Sequence, residues 1–152
     1  MSVESVRQFF INRGISDPII ELNDSGTTVE LASKIIGVDP SFIAKTLAFK
    51  LKDKNVLIVT KGDGRINNKK YRQFFKEKAK MVDFNDVEEI TGHPVGGVCP
   101  FGLKNSLEIY LDLSIKDFQY VYPAAGSKNY AMKISPNEIH SLTNATWIDV
   151  CE

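Results

Sequence analysis

Between Gly92 and Leu103 the chain carries four glycines and two prolines within twelve residues: Gly92-His93-Pro94-Val95-Gly96-Gly97-Val98-Cys99-Pro100-Phe101-Gly102-Leu103. Glycine reaches backbone conformations closed to other residues, and proline fixes φ and removes an N–H. Neither a helix nor an ordinary ladder strand runs through such a stretch. Any fold must therefore be assembled from elements on either side of it. Two readings of the stretch itself stand open: a surface connection made of awkward turns, or a shaped loop that aims its backbone N–H groups at a ligand.

The elements around it are short. Ser2 to Asn12 predicts a helix, with Val3, Val6, Phe9 and Phe10 at helical spacing and Gly14 beyond its end. Ile19 to Leu22 predicts a short strand. Thr27 and Glu30 form the pattern of a capping box for a second helix that Gly37 stops. After a turn of helix at Pro40, Thr46–Leu51 and Val56–Thr60 predict a hairpin with a buried second strand. Asn67 to Phe75 predicts a helix with Tyr71, Phe74 and Phe75 inward, and Asn85 with Glu88 caps another that ends at Gly92. Strands follow at Asn105–Asp112, Tyr130–Ile134 and Ala145–Val150. Ser135-Pro136-Asn137-Glu138 opens a last helix with Ser at the N-cap, Pro at N1 and Glu at N3. The irregular alternation, with at least one hairpin and no regular βαβ rhythm, predicts an α+β fold on a mixed, curved sheet surrounded by short helices. At 152 residues, with no linker or repeat, residues 1–152 are expected to form one domain.

Net charge is zero, so no global field recruits nucleic acid. Charge is nonetheless segregated. Lys61 to Lys80 holds eight basic and two acidic side chains, and Asp83 to Glu89 holds four acids and no base. The basic run is either a solvated lysine-rich face or a phosphate-contacting surface. No run of apolar residues is long enough to span a membrane. Cys99 and Cys151 fit no metal spacing, and together with an N-terminus unlike a signal peptide they lead to the expectation of a reduced, cytoplasmic setting.

Four side chains are candidates for chemistry. Lys45 enters an apolar strand, where its ammonium could hold a phosphate or polarise a carbonyl. His93 is held extended by the proline after it. Cys99 could serve as a nucleophile if its pKa were lowered. Asp112 ends a strand. There is no HxxxH or CxxC set, no GxSxG elbow, no P-loop or GxGxxG, and no carboxylate pair with an evident role. No metal or cofactor is therefore expected. An enzyme built this way would position its substrate and stabilise an oxyanion through backbone N–H groups.

Three segments together resemble one family. Ile43-Ala44-Lys45-Thr46-Leu47 is similar to a segment with a single functional lysine before a core strand. Gly96-Gly97-Val98-Cys99-Pro100 fits a GxxxP loop and is followed by Phe101-Gly102. Asp112, the turn Ala125-Gly126-Ser127 and Ser135-Pro136-Asn137-Glu138-Ile139 fit its acidic strand end, glycine turn and closing helix. In this order and spacing they resemble the YbaK/EbsC family of aminoacyl-tRNA deacylases, related to the editing (insertion) domain of bacterial prolyl-tRNA synthetases. The resemblance implies a barrel-like mixed sheet and hydrolysis of the ester joining a wrong amino acid to the 3′ adenosine of tRNA, most simply mischarged tRNA-Pro.

By that resemblance Lys45 holds the adenosine phosphate or the carbonyl side. Gly96, Gly97, Val98, Cys99 and Pro100 bind and polarise the ester carbonyl. His93 lines the amino-acid pocket, Gly126 and Ser127 form its opposite wall, and Phe101 and Asp112 complete the substrate-binding set. Water is the nucleophile, helped by the neighbouring ribose hydroxyl. The partners implied are the tRNA acceptor end and prolyl-tRNA synthetase, with the Lys61–Lys80 run as a further candidate for the acceptor stem. Cys99 departs from the small hydroxyl or glycine expected there. A non-catalytic module binding tRNA ends or another phosphate ligand, and a thiol enzyme using Cys99 with His93, are the competing readings.

Overall fold

Residues 2–152 are described by a computed structural model, and the apolar periodicities lead directly to its elements. In chain order these are α1 (Ser2–Asn12), β1 (Ile19–Glu21), α2 (Val29–Ile36), β2 (Ile43–Lys50), β3 (Asn55–Lys61), α3 (Asn68–Phe75), α4 (Val87–Thr91), β4 (Glu108–Asp112), β5 (Tyr122–Pro123), β6 (Tyr130–Met132), α5 (Pro136–Thr143) and β7 (Thr146–Ile148). Single 3-10 turns occupy Pro40–Phe42, Phe84–Asp86 and Leu113–Ile115.

Five strands form a mixed sheet in the order β5-β2-β3-β4-β7, and β1 pairs with β6. The predicted hairpin is β2–β3, antiparallel from Ala44 opposite Lys61 to Lys50 opposite Asn55. The remaining pairs of the larger sheet are parallel. Bridges between Val121 and Ile134 and between Ala124 and Ala131 join β5 to β6, so the surface curls from one sheet into the other. The described pairings do not join β1 to β7, so the sheet is curled rather than closed.

The centre of the fold is β3. Val56, Leu57, Ile58 and Val59 are fully buried, because both faces of this strand are covered. Each such side chain contributes about 1.5–3 kcal/mol of burial. On one face, Phe10 of α1 packs with Phe9 and Phe101 at ring-centroid distances of 5.0–5.3 Å. On the other, Tyr71 and Phe75 of α3 meet Phe49, Ile58 and Tyr110.

Several local expectations are corrected. The N-cap of α2 is Thr28, whose hydroxyl accepts from Leu31 N at 3.1 Å, so Glu30 falls one position short of a capping box and Thr27 is released. Before α4, the cap is Asp83, accepting from Asn85 N at 3.1 Å; Asn85 itself caps nothing there. Phe74 is 46% exposed rather than inward, resting edge-on against Phe75 and Tyr110. The fourth strand starts at Glu108, because the Asn105 amide turns back to donate to Ile90 O at 2.9 Å. The reciprocal capping box of Ser135 and Glu138 forms as expected.

The glycine stretch crosses the molecule between α4 and β4 and locks against the β5–β6 turn. Gly126 N–H donates to the Gly97 carbonyl at 2.9 Å. A Cβ on Gly97 would lie 2.4 Å from Ser127 N and 2.6 Å from Gly126 C, both of them backbone atoms that cannot swing aside. Gly97→Ala should therefore cost about 3 kcal/mol, read as a lower urea midpoint at unchanged m. A midpoint equal to wild type would show that this contact yields without cost.

Candidate active site

β5 is only two residues long, and that fact makes the site. It covers β2 at Ile43 and Ala44, ending on Pro123. Further along the same edge, Lys80 to Val82 takes over: Lys50 N–H donates to Lys80 O at 2.8 Å and Val82 N–H to Ala48 O at 3.0 Å. Backbone polar groups along a strand alternate in direction, so the N–H and C=O of Thr46 point to the same open edge as those of Ala48 and Lys50. Between Ala44 and Ala48 no backbone group of the described residues pairs with that edge. The Thr46 hydroxyl is also buried and has no hydrogen-bond partner among the described residues.

A cavity of about 430 Å³ opens at this gap. One wall is β2 from Ile43 to Ala48. Opposite stand Val95, Gly96 and Val98 of the glycine loop, with Tyr122, Ala124, Lys128, Tyr130 and Ala131 from the β5–β6 region. Val29, Ala32 and Ile36 of α2 and Val87 also line it, and the exposed Met81 and Phe84 form part of its rim. Small aliphatic side chains dominate this lining, which suits a ligand pocket with few, well-placed polar groups.

Lys45 and the glycine loop therefore meet at one cavity. The Lys45 ammonium donates to Gly64 O at 2.6 Å. An ammonium has three donors, so two remain for a ligand. Within the loop only some N–H groups are free. Gly97 N–H is spent on Pro94 O at 2.9 Å, and Pro100 has none. Gly96, at φ +93°, and Val98 lie on the cavity wall, and their N–H groups have no backbone acceptor among the described residues.

The other expected residues lie elsewhere, and here the sequence expectation is corrected by the geometry. Cys99 is fully buried, and burial pushes its thiol up to about 12, outweighing the hydrogen bonds to the Phe101 and Gly126 backbone. Its sulfur is 3.6 Å from Phe101 O and 3.7 Å from His93 Nε2. His93 is likewise fully buried and does not line the cavity. Its Nε2 is 2.7 Å from Phe101 O. A carbonyl only accepts, so the proton sits on Nε2, and the ring offers the thiol no base there. The Cys99–His93 thiol reading fails on this arrangement. Phe101 is core, its ring tilted against Phe9 and Phe10 of α1.

Asp112 is buried at the far end of β4. Burial raises its pKa, but bonds from Val150 N–H, the Ser114 hydroxyl and N–H, and the Cys151 thiol outweigh it and hold the carboxyl below its usual value. Gly126 and Ser127 face a separate groove beside α1 rather than the cavity, although they brace Gly97 from behind. Thr46, Lys128 and Tyr130 are cavity residues that sequence reasoning missed. Thr46 stood inside the quoted lysine segment, but only the length of β5 shows that its edge is open.

Comparison with known proteins gives the family. Residues 24–142 match the family model of the aminoacyl-tRNA editing domain, and the chain belongs to that family. It is 47% identical over 154 residues to "Uncharacterized protein YwhH" of Bacillus subtilis (strain 168), covering 100% of this chain and 98% of that one. It is 26% identical over 125 residues to the Enterococcus faecalis (strain ATCC 700802 / V583) protein named "Putative Cys-tRNA(Pro)/Cys-tRNA(Cys) deacylase EbsC", covering 81% and 76%. Its fold is similar to a crystal structure described as "a putative trans-editing enzyme for prolyl tRNA synthetase", with a TM-score of 0.91 at 27% identity over 99% and 97% of the two chains.

His93 also makes the fold sensitive to acid. Burial depresses its folded pKa, with the Phe101 bond pulling the other way. The unfolded chain takes up the proton near a pKa of about 6.5, so the folded state loses stability as pH falls below that value toward the folded pKa. The melting temperature should drop between pH 7 and pH 5, and His93→Gln should flatten that slope. An unchanged slope in the variant would assign the acid sensitivity to another group.

Proposed function

We propose that this protein is a free-standing hydrolase that cleaves the ester of a mischarged aminoacyl-tRNA, most simply tRNA-Pro, in the cytoplasm beside prolyl-tRNA synthetase. The observation that carries the reading is the convergence of Lys45 with the free N–H groups of Gly96 and Val98 on one cavity, in a chain of the editing family.

In this reading the aminoacyl group enters the cavity and the ribose stays at its mouth. The ester carbonyl oxygen accepts from Gly96 and Val98 N–H, which strengthen their hold as that oxygen gains charge. Water attacks the carbonyl carbon. The neighbouring ribose hydroxyl orients the water and relays its proton. The bond from the carbonyl carbon to the ribose 3′ oxygen breaks, the ribose oxygen takes up a proton, and the amino acid leaves as a carboxylate. Lys45 holds the terminal phosphate or the carbonyl side with the donors not spent on Gly64 O. Thr46, through its carbonyl and buried hydroxyl, accepts from the substrate α-ammonium, which every aminoacyl ester carries.

Ala44, Ala124, Ala131, Val29 and Val98 give the lining small apolar surfaces, with Thr27, Thr28 and Thr46 among them. Within the proposal, alanine is the first amino acid to test. An apolar pocket rejects a hydroxyl-bearing analogue only modestly, by about 100-fold at most.

A panel of tRNA-Pro species charged with alanine, cysteine, serine, threonine and proline tests this. Alanine should be released fastest, and Lys45→Ala should lower kcat/KM by about 100-fold or more while the circular dichroism spectrum is kept. Thr46→Val should raise KM for every amino acid alike. Normal turnover by Lys45→Ala would overturn the site. Salt-dependent tRNA binding with no release of any amino acid would favour the non-catalytic module instead.

A further inference from the structure

Among the described residues, two of the three most exposed large apolar side chains stand on the rim of this one cavity: Phe84 at 71% and Met81 at 54% exposed. Val95, 45% exposed, stands on the same rim. Single exposed apolar side chains are ordinary, but a cluster at a cavity mouth marks a surface that a ligand covers.

The rim is also fixed in place. Lys80 to Val82 is hydrogen-bonded to the edge of β2, with Met81 opposite Phe49. Directly after it, the Asp83 carboxylate accepts from Asn85 N–H, and Asp86 N–H donates to Asp83 O at 2.8 Å. Phe84 thus sits on backbone closed on both sides, so only its side-chain rotamers remain to be ordered against a ligand.

Charge near the ring is segregated along the chain. Lys78 and Lys80 precede it, Lys50 pairs with Lys80 at the β2 edge, all three are exposed, and among the described residues none of them is in an ion pair. Asp83, Asp86 and Glu88, also exposed, lie next to it and after it. An anionic strand reaching this cavity would run over the lysines and away from the carboxylates, with a flat apolar group against the ring.

We propose that Phe84, flanked by Met81, is the stacking platform for the base of the terminal nucleotide of the RNA, with the adjoining phosphates leaving over Lys50, Lys78 and Lys80. This rests on the hydrolytic reading above, which puts the aminoacyl ester of that nucleotide in the cavity and its ribose at the mouth. An aromatic face stacks any base, so the platform adds affinity and alignment rather than sequence selectivity.

The probe is the trinucleotide CpCpX, where X is 2-aminopurine riboside, whose fluorescence is quenched when it stacks. Wild-type protein should quench it in a saturable, salt-sensitive way. Phe84→Ala should weaken binding by about 10-fold, and Phe84→Trp should restore it. In deacylation, Phe84→Ala should raise KM for aminoacyl-tRNA, and should raise it far less for the 3′-aminoacyl ester of methyl riboside, which keeps the neighbouring hydroxyl and has no base. Equal probe affinity and equal KM in wild type and Phe84→Ala would overturn the platform and leave the hydrolytic reading standing. Probe binding that depends on Phe84 in a protein that releases no amino acid would do the reverse. Should Phe84→Ala instead abolish self-association in sedimentation and leave probe binding untouched, the rim is a contact between copies of the chain, and the proposal falls.

Discussion

The contact between Gly97 and the Gly126–Ser127 peptide is the constraint on which the site depends. It is backbone against backbone, joined by the 2.9 Å bond from Gly126 N–H to Gly97 O. No side chain can intervene, so the loop has one height above the β5–β6 turn. That height decides which groups face inward. Cys99 and Phe101 drop into the core, His93 closes over the Phe101 carbonyl, and Gly96 and Val98 are left on the cavity wall. A loop with a histidine and a thiol thereby presents neither to a ligand. It presents amide hydrogens in an apolar surround, where a dipole acts more strongly on developing charge than it does in water.

The second constraint is the shortness of β5. A strand edge left open inside a protein is costly, because its N–H and C=O groups have left water without finding partners. Here the edge is covered at both ends of β2 and bare at Thr46. The unsatisfied hydroxyl of the same residue adds to the unmet polar capacity. A fold keeps such a gap where a ligand closes it. The backbone of an aminoacyl group, with an ammonium and a carbonyl close together, has the matching polarity.

Much of the architecture was legible because it rests on local rules. The apolar run Val56–Val59 announced the central strand, and Ser135-Pro136-Asn137-Glu138 announced its helix, because burial and capping are written in adjacent residues. The candidate lysine and part of the glycine loop line one cavity. What failed was orientation. Nothing near His93 in sequence says that its ring turns inward to a carbonyl eight residues away. Thr27 and Thr28 are equally good caps on paper, and the chain uses Thr28, which leaves Thr27 for the cavity. Thr46 and Ala131 could be placed on the same cavity only through pairings between strands that are remote in sequence.

Asp112, an expected site residue, makes contacts that brace the fold. It does not reach the cavity. Its carboxylate instead accepts from Val150 N–H at 2.8 Å and so fixes the end of the chain against β4. Val150 to Glu152 in turn hold the segment after β3: Asn67 N–H donates to Val150 O, Glu152 N–H donates to Arg65 O, and Cys151 pairs with Ile66. Within that segment lies Gly64, whose carbonyl takes the Lys45 ammonium at 2.6 Å. The buried carboxylate therefore positions the lysine at several removes. A flexible four-carbon side chain would otherwise lose much of its rotamer entropy each time it met a ligand. Holding its ammonium on a braced carbonyl means that part of this ordering is already done in folding.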